Sequence, residues 1–310
     1  MNNLVAIVGP TAVGKSRLAL SLAQTFHAEI VSADSRQVYR YLDIGTAKPS
    51  AAELSIVSHH LINIINPDED FSLAQYQQMA YQAIAEIQGR GRLPLLVGGS
   101  GLYVWSVLEG WQIPRVTPDT AFRSDMEQMA ADGGNGELYR RLQELDPVAA
   151  QKIDPRNIRR VIRALEVHQR AATPISGLQR KKAPPYHTLI LGLTMDRGEL
   201  YRRIDRRVDE MVEQGLVAEV TRLVARGYDF TLPAMSGIGY REIGMYLRHE
   251  LTLEEAVQKI KFETHRFVRH QYNWFRLKDD KIGWYDVDSS ESAAIADSVS
   301  EFIRCGGELS

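Results

Sequence analysis

Leu4-Val-Ala-Ile-Val-Gly-Pro-Thr-Ala-Val-Gly-Lys-Ser16 is the stretch on which the fold turns. Its first five residues are an unbroken run of apolar side chains rich in β-formers, the pattern of a strand buried on both faces. Gly9-x-x-x-x-Gly14-Lys15-Ser16 follows at once and matches the phosphate-binding loop pattern completely. Residues 15–26 then read as a helix. Strand, glycine loop and helix in that order are the context the pattern requires. Glycines let backbone N–H groups converge on phosphate oxygens, the helix N-terminus adds partial positive charge, and Lys15 adds a full one. Ser16 supplies a hydroxyl suited to Mg²⁺. Gly9, Pro10, Thr11, Ala12, Val13, Gly14, Lys15 and Ser16 are therefore the candidate polyphosphate site.

Outward from this loop, Glu29-Ile-Val-Ser-Ala33 reads as a second strand, ending at Asp34. Ser72-Leu-Ala-Gln75 is a capping box that opens a helix to about residue 88. Leu95-Leu-Val97 is a buried strand; Gly98-Gly99-Ser100 ends it and another helix follows. Strands alternating with helices predict an α/β fold: a P-loop NTPase-like parallel sheet flanked by helices. The pattern changes at residues 114–118, where prolines cluster. From there to Pro184-Pro185 only helical periodicity is evident, so residues 116–185 are predicted to form an all-helical insertion in a core of residues 1–115 and 186–310. Strand character returns in Thr188-Leu-Ile-Leu-Gly-Leu193. Helices are predicted over 199–214, then behind a second capping box, Thr252-Leu-Glu-Glu255, to about residue 276, and in the tail after Asp288.

The bulk numbers narrow the classes. At 310 residues, with 44% hydrophobic and 25% charged side chains, the chain suits a globular protein with a sizeable core. No apolar stretch reaches the length of a membrane span. The N-terminus lacks a basic lead and reads as a strand instead of a signal peptide. The single cysteine, Cys305, can form neither an internal disulfide nor a cysteine zinc cluster, which fits a reducing, cytoplasmic setting. A net charge of −2 rules out a global basic field, so a nucleic-acid partner must be held by local patches.

Such patches exist. Arg156, Arg159, Arg160 and Arg163 fall at roughly helical spacing in the insertion, and Arg180-Lys-Lys182 follows them. Arg202-Arg203-x-x-Arg206-Arg207 lies in the next core helix. Lys259, Arg266, Arg269, Asn273 and Arg276 share one side of the helix that begins after Thr252. A solvated face is the simpler reading of any one of these helices. Their segregation in a slightly acidic chain points to a polyanionic partner. The aromatics Phe267 and Trp274 read more readily as core than as base-stacking platforms.

Two strand ends bear on chemistry. Asp34 sits where open α/β sheets line their ligand crevice. A carboxylate there suits Mg²⁺ binding or general-base work, and equally the capping of a turn. P-loop NTPases usually add an aspartate at the end of a buried strand, but Leu95-Leu-Val97 ends in Gly98-Gly99-Ser100. That absence counts against hydrolases and motors. Kinases and other transferases that grip a substrate's phosphates remain.

Several motifs together resemble the tRNA dimethylallyltransferase family, also called tRNA isopentenyltransferases. They are the glycine loop, Asp34-Ser-Arg-Gln-Val-Tyr39, Asp43-Ile-Gly-Thr-Ala-Lys-Pro49, Val97-Gly-Gly-Ser-Gly-Leu-Tyr103, Arg163-Ala-Leu-Glu-Val167, Gly237-Ile-Gly-Tyr-Arg-Glu242 and Gln271-x-x-Trp-Phe-Arg276. They span nearly the whole chain in the family's order. The resemblance implies transfer of a dimethylallyl group from dimethylallyl diphosphate to N6 of the adenosine 3′ of the anticodon, with Mg²⁺ and with the base flipped out. It implies that the glycine loop binds diphosphate and that Asp34 is the base. Ser100 stands where threonine is usual, near the reacting centre, and Arg207, in preference to Arg203, helps to hold diphosphate. The implied contacts to the tRNA anticodon stem-loop are Asp34, Ser35, Arg36, Gln37, Ser100, Arg123, Arg159, Arg160, Arg163, Arg266, Arg269 and Gln271. His265 and His270 replace typical arginines, so tRNA binding is expected to be pH-sensitive there. A monomer is expected. A free adenine nucleotide as acceptor leaves the basic insertion without a purpose. A small-metabolite kinase leaves the Gly45-Thr-Ala-Lys-Pro49 and Trp274-Phe-Arg276 stretches unexplained. A non-enzymatic RNA binder leaves the intact Lys15-Ser16 pair and Asp34 unexplained.

Overall fold

Four short, mainly apolar runs have to be covered on both faces, and a parallel sheet under helices does this. The computed structural model describes residues 2–114, 116, 119–171, 176, 180–182, 184–288 and 292–307. Pro118 and the side chain of Arg180, both part of the sequence reading, lie outside the described residues. The chain forms two units, Met1–Leu108 with Pro185–Ser310, and Glu109–Pro184.

In the first unit, β1 (Asn3–Val8), α1 (Lys15–Thr25) and β2 (Glu29–Ser32) are followed by α2 (Ala51–Ile56), β3 (His59–His60), α3 (Leu73–Gly89), β4 (Pro94–Val97) and α4 (Gly101–Leu108). The second unit holds β5 (Trp111–Gln112), α5 (Thr120–Met129), α6 (Asn135–Leu145), α7 (Pro147–Ala150), α8 (Ile158–Ala171) and β6 (Arg180–Lys181). The first unit resumes with β7 (His187–Thr194), α9 (Arg197–Glu213), α10 (Leu216–Ala225), α11 (Tyr240–Leu247), α12 (Leu253–Trp274), β8 (Gly283–Asp286) and α13 (Ser292–Gly307).

The six-stranded sheet runs β3-β2-β4-β1-β7-β8, and every pairing in it is parallel. The chain therefore leaves β1 in one direction to reach β2 and β4, and in the other to reach β7. That reversal makes the carboxyl end of β1 the topological switch point, the usual place of a ligand crevice. The loops after β1, β2 and β4 all emerge there, which brings the glycine loop, Asp34 and Ser100 to one edge. β1, β2 and β4 are buried along their whole length. Both predicted capping boxes form: Ser72 Oγ accepts from Gln75 N at 3.2 Å and Thr252 Oγ1 from Glu255 N at 3.2 Å.

The second unit is not wholly helical: Trp111–Gln112 pairs antiparallel with Arg180–Lys181. That pairing ties the first residues after α4 to the end of the insertion, so the unit begins at 109, ahead of the proline cluster. Its core is Leu138, Leu142, Val161, Leu165 and their neighbours, against which α5, α6 and α8 pack. Glu166 is buried beside that core. It accepts from Asp119 N at 2.7 Å, from Arg123 Nε and Nη2 at 2.8 Å each, and from Arg163 Nη1 at 2.5 Å.

One glycine holds the sheet edge together. A Cβ at Gly98 would lie 2.1 Å from the carbonyl oxygen of Ala33, so the ends of β2 and β4 can meet only around a bare Cα. Gly98→Ala is expected to destabilise the protein by about 2–3 kcal/mol through overpacking against backbone. Gly89→Ala, where an added Cβ meets nothing within 4 Å, should stay within about 1 kcal/mol of wild type. Urea midpoints compared at equal slope would measure both.

Candidate active site

A cleft of about 290 Å³ opens at the carboxyl edge of the sheet. Thr11, Ala12 and Lys15 line it from the glycine loop, Asp34, Ser35 and Arg36 from the end of β2, and Gly99 and Ser100 from the end of β4. From α9 come Ile204, Arg207, Val208 and Met211, and from α12 Ile260, Thr264, Phe267 and Gln271. One end of the cleft is thus cationic and backbone-rich, and its walls are largely aliphatic.

The charges interact strongly. Lys15 Nζ donates to the carbonyl oxygens of Gly9 at 3.0 Å and Pro10 at 2.6 Å. Burial pushes the Lys15 ammonium down to about 7; Asp34 works against that shift and Arg207 adds to it. Burial also lowers Arg207, with Asp34 opposing. A buried cation without an anion is costly, so this end of the cleft favours an anionic ligand. Asp34 Oδ1 accepts from Arg36 N at 2.8 Å, which turns the chain tightly after β2. Ser100 Oγ accepts from Ser35 N at 3.0 Å and donates to Ser35 Oγ at 3.2 Å. Ser100 thereby fixes the residue next to Asp34. Beneath this turn the rings of Tyr76 and Tyr103 stack 3.7 Å apart, and Tyr76 Oη donates to Ser32 O at 3.1 Å.

Arg203 and Arg207 lie one turn apart on α9. Arg203 is committed elsewhere: Nε sits 3.1 Å from Glu199 and Nη2 2.7 Å from Asp288. Arg207 alone of the two faces the cleft.

Several expected RNA contacts are engaged inside the protein. Gln271 is buried; its Oε1 accepts from Thr11 N at 2.8 Å and its Nε2 donates to Gly99 O at 3.1 Å. It therefore braces the glycine loop against the end of β4 while bordering the cleft. Gln37 is half-buried and donates to Thr46 O and Ala47 O at 3.3 Å each. Arg36 Nη1 donates to Pro233 O at 2.7 Å while the side chain also borders the cleft. Arg123 and Arg163 hold Glu166, which takes up their charge. Arg159, Arg160, Arg266 and Arg269 are exposed. Of these, Arg159 and Arg160 make no side-chain ion pair among the described residues, and Arg266 only reaches Glu263 at 4.0 Å. His265 is not an open RNA contact: it stacks on Tyr201 at 4.1 Å and its Nε2 lies 2.8 Å from Asp205 Oδ1. His270 is exposed. Ser16 is exposed on the first turn of α1.

The sequence reading missed Glu219 and, although it quoted the Gly237–Glu242 motif, gave Tyr240 no role. Glu219 is buried in α10, and its carboxylate accepts from Ile44 N at 2.8 Å and from Tyr240 Oη at 2.6 Å. The only signal was an acid in the apolar stretch of a helix.

Comparison with known proteins agrees with this geometry. The model of the IPP transferase family matches residues 37–278. A tRNA dimethylallyltransferase of Roseiflexus sp. (strain RS-1) is 56% identical over 273 residues, covering 88% of this chain and 90% of its own. One from Dehalococcoides mccartyi is 50% identical over 305 residues, or 98% and 94% of the two chains. Among solved structures, the full-length tRNA isopentenylpyrophosphate transferase of Bacillus halodurans superposes with a TM-score of 0.74 at 41% identity, over 100% of this chain and 99% of that one. A eukaryotic dimethylallyltransferase acting on tRNA gives a TM-score of 0.84 at 26% identity, over 98% of this chain and 80% of that one. With the glycine loop, Asp34 and Ser100 at one sheet edge and this similarity along almost the whole length, the chain belongs to the IPP transferase family.

Proposed function

We propose that this protein is a tRNA dimethylallyltransferase, moving a dimethylallyl group from dimethylallyl diphosphate to N6 of adenosine 37 and releasing diphosphate. The observation that carries the reading is the sharing of one cleft by Lys15, Arg207, Asp34 and an aliphatic wall. The cationic end suits a diphosphate and the wall suits a five-carbon chain. Asp34 is the carboxylate among the cleft residues, and a base must lie within reach of the proton it takes.

In the reaction the N6 lone pair of the flipped adenine attacks the allylic carbon. The carbon–oxygen bond to diphosphate breaks with its electron pair on oxygen, and the N6 proton passes to Asp34. Lys15, Arg207 and the glycine-loop N–H groups stabilise the charge that grows on the departing diphosphate, an electrostatic contribution. Ser100 holds Ser35, and with it the Asp34 turn, in place. No water is activated, so an aspartate at the end of β4 has no task here. Mg²⁺ binds through few protein ligands and substrate phosphates, and no cluster of three His, Cys, Asp or Glu occurs among the described residues. The exposed Ser16 hydroxyl on the first turn of α1 would hold such an ion together with the diphosphate oxygens, where it would neutralise phosphate charge.

Labelled dimethylallyl diphosphate, offered with unmodified tRNA or with AMP, tests the reading. Label in tRNA is the expected result; label only in AMP would reassign the acceptor, and ATP consumption with neither labelled would indicate a kinase. Asp34→Asn should lower single-turnover transfer by about 100-fold or more while tRNA affinity holds. Arg159→Ala and Arg160→Ala should each weaken tRNA binding and reduce its salt slope by about one, as lost phosphate contacts do.

Lys15 gives a pH signature. With the ammonium near 7 in the free protein, the side chain is mostly neutral at pH 8. A bound diphosphate favours the charged form, so binding at pH 8 takes up a proton. Affinity is then flat below about pH 7 and weakens by up to about tenfold per unit above it, until the raised pKa of the complex is reached. Calorimetry of dimethylallyl diphosphate at pH 8, in buffers of different ionisation enthalpy, should show uptake approaching one proton, absent in Lys15→Met.

A further inference from the structure

We infer that Glu219 is a positioning residue for prenyl transfer, acting on Asp34 through the turn at residues 43–47. The inference rests on the reaction proposed above. Glu219 sits in α10, far from Asp34 in sequence, and its carboxylate is buried. Four donors converge on its two oxygens: Asp43 N at 3.1 Å, Ile44 N at 2.8 Å, Gly45 N at 3.2 Å and Tyr240 Oη at 2.6 Å. Three successive backbone N–H groups wrapped around one carboxylate form an anion-binding turn filled from inside the protein.

The turn leads to the cleft in two ways. Gly45 and Thr46 line the cleft directly. The carbonyl oxygens of Thr46 and Ala47 accept from Gln37 Nε2 at 3.3 Å each, and Gln37 Oε1 accepts from Ser32 Oγ at 3.2 Å. Residues 32 and 37 bracket the segment that carries Asp34. The chain of contacts therefore runs from Glu219 through the 43–47 turn and Gln37 to the segment around the base. It does not pass through Lys15, Arg207 or the glycine loop, whose brace is Gln271. A fault at Glu219 should reach proton removal and leave the diphosphate end untouched.

The test is a separation of rate from binding. Glu219→Gln puts an amide donor where one acceptor oxygen was, so at least one N–H of the turn loses its partner. Loss of such a hydrogen bond near the base should slow single-turnover transfer by about tenfold or more. The KM for dimethylallyl diphosphate, and its affinity by calorimetry, should stay within about threefold. Tyr240→Phe removes one donor and keeps the three backbone bonds, so it should lose about threefold in rate, again without a change in KM. If Glu219→Gln does not fold, Tyr240→Phe decides alone. A folded Glu219→Gln with wild-type turnover overturns the inference. So does a parallel fall of diphosphate affinity and rate, which general loosening of the fold would give. A wild-type protein that transfers no prenyl group sinks the proposed reaction and this inference with it, whereas an active wild type beside an equally active variant sinks the inference alone.

Discussion

The cleft depends on a single buried amide. Gln271 Oε1 takes the backbone N–H of Thr11 and its Nε2 gives to the carbonyl of Gly99. Buried amides have to find partners for both ends, and here the partners belong to the loops after β1 and β4. Those loops carry the glycine-rich turn and the hydroxyl of Ser100. Held by one side chain of α12, they cannot drift apart. Gly99 is part of the same constraint, because any Cβ at that position would come within 2.2 Å of Gln271 Nε2. The helix that supplies this brace also presents Arg266 and Arg269 outward. Its inner face fixes the catalytic edge while its outer face is free to meet a polyanion.

With the loops fixed, electrostatics follow from crowding. Two cations and one carboxylate share a small space, and burial presses both cations toward neutrality. In water a lysine and an arginine would repel weakly, but in a cleft with aliphatic walls the repulsion and the lost hydration both grow. Asp34 relieves part of this and keeps the cluster tolerable in the free protein. A diphosphate relieves more, and relieves most when its charge peaks as the carbon–oxygen bond breaks. In the proposed reaction such a site would be arranged for the departing group in advance, without reorganisation at the moment of reaction.

How much of this was legible in the sequence depends on the range of each interaction. β1, β2, β4 and β7 were readable because each is an apolar run bounded by turn residues. The helices behind Ser72 and Thr252 were readable because a capping box is complete within four residues. β3 and β8 were not, since strands of two and four residues with exposed or half-buried side chains carry no periodicity. The Trp111–Lys181 pairing joins residues 70 apart and has no local signature. The same holds inside the site. Gln271 enters the sequence reading only through the resemblance, as an implied RNA contact, and only the fold shows that its amide joins Thr11 to Gly99. Glu219 was invisible because its partners are mostly backbone N–H groups some 175 residues away, which any sequence would supply. The preference for Arg207 over Arg203 rests on the resemblance in the sequence, and the pairing of Arg203 with Asp288 from beyond α12 has no local signal there.

Charge sorting resolves the apparent conflict between a net charge of −2 and an RNA substrate. Many arginines in this chain already have a carboxylate. Glu29 collects Arg90 and Arg92, Glu166 collects Arg123 and Arg163, and Glu242 takes Arg241. Each of these acids is buried and would be costly without its cations, so these arginines answer to the fold. They contribute little to a long-range field, because each pair is nearly neutral at a distance. What remains are cations whose guanidinium groups face solvent with weak or no acidic partners, such as Arg159, Arg160, Arg266 and Arg269. Phosphate attraction falls off within a Debye length, roughly 8–10 Å at physiological salt, so the local excess decides binding and the total does not. A slightly acidic protein can therefore hold a tRNA wherever unpaired arginines outnumber the acids around them.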